Sequence, residues 1–251
     1  MFFDIADNAL GITASVRSRF DSRKVVNRAL PLISDHPLLL GRVDPEGDRL
    51  GRGSPFMFGA KHVAEIIRTV NVGLDGRVSK RQETEFDEKD MAARTKEFLN
   101  ALVEAFPSLR AVVLGQVLPD ELRRTSLLGS ILFVRVLGGV FQELVDHYAF
   151  TPKMVEEFFA KLSPHSEGPA YTGSIWVENL PDIWQDGAKA PRSRRQDLKA
   201  LKNAILSWAL DKPKFVTAKP KPRPIPDDEW VDPLEGAGYR PDLQSALKEH
   251  E

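Results

Sequence analysis

The sequence has 251 residues, a formal net charge of -1 and no cysteine. The absence of cysteine excludes disulfides, thiolate metal sites and a cysteine nucleophile, and the near-zero charge excludes a global field that would hold a polyanion. No apolar run approaches the roughly 18 residues that span a bilayer. No segment has the pattern of a secretory leader, so we expect a cytoplasmic protein without a membrane partner.

Two short helices are predicted near the start of the chain. Residues 13–20 suit the first helix, for which Thr13 is a suitable N-cap. Asp21 or Ser22 can cap the second helix, whose apolar residues recur with the helical period.

A β-hairpin is predicted over residues 39–51, because glycine and proline punctuate this stretch and a turn fits residues 44–47. From residue 54 onward, apolar residues recur at helical spacing. This period predicts successive helices that begin close to Gly59, Asp87, Pro119, Leu127, Pro152 and Arg192.

The most apolar segment, residues 127–148, predicts the central helix of a bundle, because its apolar side chains lie nearly all round the helix axis. Gly138 and Gly139 lie within it and would allow a close helix crossing or a bend. The predicted fold class is mainly α: a multi-helix bundle with a small β-hairpin near residues 39–51 and a disordered C-terminal tail. The predicted division is an opening element with the hairpin, a helical bundle, and a tail rich in proline and charge, over residues 1–53, 54–211 and 212–251.

Two clusters of basic residues are the candidate phosphate-binding elements. Between residues 14 and 52, the sequence contains eight basic and five acidic residues. A second basic cluster lies at the start of the last predicted helix. Arginine suits phosphate because its guanidinium donates two parallel hydrogen bonds. The alternative is a solvated face with local ion pairs, and in the second cluster Asp197 would offset the charge. The candidate DNA- or phosphate-binding residues are Arg17, Arg19, Arg23, Lys24, Arg28, Arg42, Arg52, Arg192, Arg194 and Arg195.

No pattern typical of catalysis or cofactor binding is present. The five histidines lack the spacing of a metal site, and the sequence contains no GxSxG, Walker A or GxGxxG motif. We therefore predict no metal, no cofactor and no catalytic residue, and a binding protein in preference to an enzyme.

The first residues carry a resemblance to a known family. The segment FFDIADNALGITASV, followed by RFDSRKVVNRAL, resembles the region after the DGQHR signature in DGQHR-domain proteins, a group that includes DndB of DNA sulfur modification (phosphorothioation). Ala6 departs from the family's usual asparagine, and the DGQHR pentapeptide is absent, so activity located in the ParB-like part cannot be carried over. The residues that match the family motif, with an expected structural role, are Phe3, Asp4, Ile5, Asn8, Phe20 and Asp21.

The resemblance implies a DNA-associated binding or regulatory protein of a DNA sulfur-modification or related defence system. DNA and a ParB-like or DNA-modification protein are the implied partners. Two alternatives stay open: half of a ParB-like nucleotide-hydrolysing enzyme that a partner completes, and a structural module that forms homo-oligomers.

Overall fold

Helices make up most of the part of the chain that the computed structural model describes, which is residues 13–47, 49–51, 53–162 and 191–211. The helices in this part are α1 (Ala14–Phe20), α2 (Val25–Ile33), α3 (Ala60–Val72), α4 (Gln82–Glu85), α5 (Glu88–Ala105), α6 (Pro107–Val113), α7 (Pro119–Thr125), α8 (Ile131–His147), α9 (Pro152–Phe159) and α10 (Arg195–Asp211). A 3-10 turn, Leu127–Gly129, precedes α8. The predicted mainly α fold class is confirmed.

The centre of the bundle is α8, which packs against α3, α9 and α10. Its side chains at Phe133, Leu137 and Phe141 are fully buried, as the apolar sequence of this segment predicts. A second layer forms where α5 packs against α2, α3 and α9. None of the helices in the described ranges combines the length and the apolar character that crossing a membrane requires.

The two glycines of α8 permit its close approach to α3 and the turn that follows it. A Cβ atom on Gly138 would lie 3.3 Å from Cγ2 of Val70, and one on Gly139 would lie 3.0 Å from Cβ of Leu74. Both distances are shorter than ordinary carbon contacts, so larger side chains here would push the helices apart. The predicted close crossing is confirmed.

The predicted cap at Thr13 is confirmed, whereas the predicted cap of α2 at Asp21 or Ser22 is wrong, because α2 begins later and its N-cap residue is Lys24. Thr13, Asp87 and Thr151 each accept a hydrogen bond from a backbone N–H in the first turn of α1, α5 and α9. Such bonds satisfy N–H groups that have no partner inside the helix. Gly73 ends α3 with a φ of 86°, a conformation that glycine adopts without strain.

The small sheet differs from a hairpin in its strand pairing. Its first strand, β1 (Val43–Asp44), lies where a strand is predicted, but its partner is β2 (Phe58–Gly59), and the two strands are parallel. The turn after β1 is present, since Oδ1 of Asp44 accepts the N–H groups of Glu46 and Gly47. The described residues 49–51 do not pair with β1, and the buried Phe58 takes the place opposite Val43. The predicted disordered tail, residues 212–251, lies outside the described residues.

Candidate functional site

The exposed arginines of the opening cluster are largely engaged with neighbouring groups. Nε of Arg23 donates to Oδ1 of Asp21 at 2.7 Å, and Nε of Arg28 lies 3.4 Å from Oε2 of Glu88. The Asp21 side chain is buried, and its pKa is lowered mainly by the hydrogen bond from Arg23. Arg17 is exposed on α1. The pairing of Arg23 and Arg28 with carboxylates leaves less of their charge for a ligand.

Arg42 is held inside the fold by backbone carbonyls. Its Nη1 donates to the carbonyl oxygens of Pro37 and Leu40 at 2.9 and 3.1 Å, and its Nη2 donates to those of Val112 and Val113, both at 3.0 Å. These bonds join the turn before β1 to the end of α6, where helix carbonyls lack partners. The geometry gives Arg42 a structural task, and phosphate binding by this residue stays a prediction.

The second predicted cluster, at the start of α10, is also paired with acids. Nε of Arg194 donates to Oδ2 of Asp197 at 2.7 Å, and Nε of Arg195 donates to Oδ1 of Asp75 at 2.5 Å. Arg192 is exposed. The pairing of Arg194 with Asp197 agrees with the structural alternative in which that acid offsets the basic helix start.

Of the residues that carry the family resemblance, Phe20 is 55% exposed at the end of α1 and Asp21 follows it as the C-cap. The predicted residues Phe3, Asp4, Ile5, Asn8 and Arg52 lie outside the described residues, as does the side chain of Arg19. Their roles stay predictions.

A cleft that the sequence did not predict contains one residue of each basic cluster, Lys24 and Arg195. It consists of two adjoining hollows that share Arg68 of α3 and Arg77 of the loop after α3. The lysine hollow, of about 340 Å³, also has Lys24 and Lys61 in its wall. The arginine hollow, of about 220 Å³, also has Arg135 and Arg195 in its wall. We call these six residues with their two hollows the basic cleft.

The acidic side chains in the walls of the basic cleft already have partners. Oε2 of Glu65 lies 3.2 Å from Nη1 of Arg135, and Asp75 is paired with Arg195. Oε2 of Glu83 accepts the backbone N–H of Val25 at 2.5 Å. Among the described residues, these three are the carboxylates that line the cleft, and none forms an ion pair with the four remaining cations, Lys24, Lys61, Arg68 and Arg77.

Partial burial of Arg68 destabilises its charged form. Desolvation lowers the pKa of Arg68, and the nearby charges of Arg135 and Arg77 lower it further, while Glu65 raises it. An arginine stays protonated at neutral pH in spite of such a shift. Nη1 of Arg68 donates to the carbonyl oxygen of Gly76, which fixes the loop that carries Arg77. The arrangement is therefore suited to an anion, because the carboxylates that act on Arg68 (Glu65 and Asp75) are already paired with Arg135 and Arg195.

Two sequence signals point toward this cleft in retrospect. Arg135 is a single charge in the otherwise apolar run ILFVRVLGGV of α8, and a buried arginine requires a partner. Lys61 and Arg68 are seven residues apart and share the outer face of α3, opposite its buried stripe. The sequence could not show that these residues adjoin Lys24 and Arg195, because those contacts depend on the packing of distant elements.

Comparison with known proteins identifies a family. The family model described as DndB, DNA-sulfur modification-associated, matches residues 1–168, which is about two thirds of the chain and includes α1 to α9. No curated protein and no solved structure matches the chain.

Proposed function

This chain belongs to the DndB family of DNA-sulfur-modification-associated proteins, and from that premise we propose that it is a DNA-associated binding or regulatory protein whose basic cleft contacts the DNA backbone. The observation that supports the proposal is the set of four cations in the cleft that no described carboxylate pairs with, namely Lys24, Lys61, Arg68 and Arg77. The proposal assigns the chain a role in binding and no catalytic step.

The proposed contact is local, because the chain as a whole carries a net charge of -1. Lysine and arginine side chains that replace counterions on DNA phosphates supply most of the sequence-independent affinity. Lys61 and Arg68 are separated by about 10 Å along the axis of α3, so they present two charges along one line. Lys24 lines the same hollow as Lys61, and Arg195 lines the same hollow as Arg68.

Backbone contacts of this kind set the position and orientation of a protein on a duplex and carry no sequence information. The cleft would accordingly hold the chain on DNA irrespective of sequence. Any preference for particular sites, as regulation requires, would come from residues outside the cleft or from partners of the modification system.

A charge reversal in the lysine hollow tests the proposal. Lys24 precedes α2 and Lys61 lies in the first turn of α3, so glutamate at either position is compatible with the helix dipole. We expect the double variant Lys24→Glu/Lys61→Glu to lower duplex affinity at least about tenfold in fluorescence anisotropy. The slope of log K against log salt should fall by about two, or about one for each lost phosphate contact.

A matched control separates the cleft from net charge. Lys89 and Lys153 also lie in the first turns of helices, α5 and α9, and lie outside the cleft. The variant Lys89→Glu/Lys153→Glu changes net charge by the same amount and should keep both the affinity and the salt slope. Equal losses in the two double variants, or no salt-dependent binding by the unmodified chain, would remove the proposal.

A further inference from the structure

We propose that the arginine hollow binds one oxyanion of the phosphate class, held by Arg68, Arg77 and Arg135. This proposal deepens the proposed function. It rests on that function only if the bound anion is a DNA backbone phosphate. A free phosphate group is the other source, and both present the same tetrahedral set of acceptor oxygens.

The first argument is the environment of Arg135. Its side chain is 17% exposed and lies between Val134 and Val136, which are buried in the centre of the bundle. Nη1 pairs with Glu65, while Nε is buried and has no hydrogen-bond partner among the described residues. Nε itself lies inside the protein, but the guanidinium carries four further N–H donors and, within the described chain, is paired with Glu65, so it retains donors for a ligand in the hollow.

The second argument is the balance of charge within the hollow. Glu65, in the wall of the adjoining lysine hollow, pairs with Arg135 and also acts electrostatically on Arg68, so it cannot neutralise both guanidinium groups. Asp75 also lines the hollow, but it is paired with Arg195. Arg77 adds a further positive charge, and no described acid pairs with it. One anion of charge -2 would therefore offset the repulsion among these arginines.

The third argument is space and orientation. The hollow has a volume of about 220 Å³, which corresponds to about seven water molecules at roughly 30 Å³ each, so a phosphate group fits with part of its hydration shell. Ser193 also lines the hollow and offers a hydroxyl that can donate to an oxyanion. The hydrogen bond to the Gly76 carbonyl orients the Arg68 guanidinium before a ligand arrives.

Titration calorimetry of the full chain with inorganic phosphate, at constant ionic strength set with chloride, tests the proposal. We expect saturable binding of one phosphate per chain. Arg68→Met and Arg135→Met should each weaken it at least about tenfold, since each removes charge-assisted hydrogen bonds. Arg68→Met keeps an unbranched helix former on the outer face of α3, so it stays informative if Arg135→Met fails to fold. The exposed Arg110→Met is the control and should bind phosphate normally.

A competition arm distinguishes the two sources. If a DNA duplex displaces phosphate, the hollow receives a backbone phosphate; if phosphate and duplex bind together, it receives a free one. The phosphate titration contains no DNA, so failure of the proposed function leaves this site testable by itself. Absence of saturable phosphate binding by the folded chain, or equal binding by all three methionine variants, would overturn the inference.

Discussion

Glu83 caps a helix that begins 58 residues earlier: its Oε2 accepts the backbone N–H of Val25 at 2.5 Å. This hydrogen bond satisfies a backbone N–H in the first turn of α2, because the side chain of the N-cap residue Lys24 does not cap the helix. Glu83 also lines the lysine hollow, so one carboxylate both stabilises the helix and reduces the positive charge of the cleft.

Replacement of Glu83 should therefore lower the free energy of unfolding and at the same time raise the affinity for duplex DNA. In Glu83→Ala, the lost capping bond should lower the free energy of unfolding by about 1 kcal/mol, within the range for N-cap substitutions. The same change removes a negative charge beside Lys24 and Lys61 and should raise duplex affinity. Urea denaturation and fluorescence anisotropy measure the two effects. Glu85→Ala on the same short helix is the control, because Glu85 pairs with the exposed Arg81 and has no place in the cleft.

Replacement of Arg42 should lower stability without a change in duplex affinity, since its guanidinium donates to four backbone carbonyls. Arg42→Gln should lower the free energy of unfolding by at least about 2 kcal/mol, because hydrogen bonds from a charged donor to the carbonyls of two chain segments are lost. We expect its duplex affinity to equal that of the unmodified chain at temperatures where both are folded. Arg110→Gln, which loses an exposed pair with Glu104, should change stability by less than about 1 kcal/mol.

A loss of affinity in folded Arg42→Gln would support the phosphate-binding role that the sequence predicts for this arginine. It would also count against the assignment of the contact to the basic cleft. Melting curves recorded beside the binding curves make the distinction.

His36 should make stability depend on pH. Its Nδ1 accepts the N–H of Leu38 at 3.2 Å, and its Nε2 lies 3.0 Å from Oδ1 of Asn100, an arrangement that requires the neutral ring with the proton on Nε2. Burial lowers the pKa of His36, and the charge of Lys96 lowers it further, whereas Asn100 and Asp35 act in the opposite direction.

The sign follows from proton uptake. Below its ordinary pKa of about 6.5, histidine binds a proton in the unfolded chain before it does so in the folded chain. The free energy of unfolding should therefore fall as pH decreases from about 7 toward the lowered pKa of the folded state. Urea denaturation at pH 7.5 and 5.5 measures this fall. His36→Gln should show a smaller difference between the two pH values, and an unchanged difference would contradict the assignment.

Local patterns predicted the elements that depend on local physics. The helices α3, α5 and α8 have buried stripes at helical spacing, and the caps at Thr13, Asp87 and Thr151 act within one turn. The pairing of β1 with β2 could not be predicted in the same way, because Val43 and Phe58 meet only after a long connection. Strand partners at such separations are set by tertiary packing and not by turn residues.

The basic cleft depends on still more distant contacts. Its charges come from α3, α8, the start of α2, the loop after α3 and the start of α10. Arg195 and Asp75, which pair across its wall, are 120 residues apart in the sequence. Counting charges along the sequence gave two basic clusters but could not show which arginines are paired with acids, so Arg68, Arg77 and Arg135 were missed.

The helices that form the floor of the basic cleft, α3 and α8, also cross at Gly138 and Gly139 in the centre of the bundle. Binding costs free energy whenever it immobilises flexible groups. Arg68 and Arg135 lie on α3 and α8, the two helices with the most extensive mutual packing in the described chain. The backbone beneath these side chains is therefore already ordered, and ligand binding should cost little conformational entropy there. Their geometry should persist until the bundle itself unfolds.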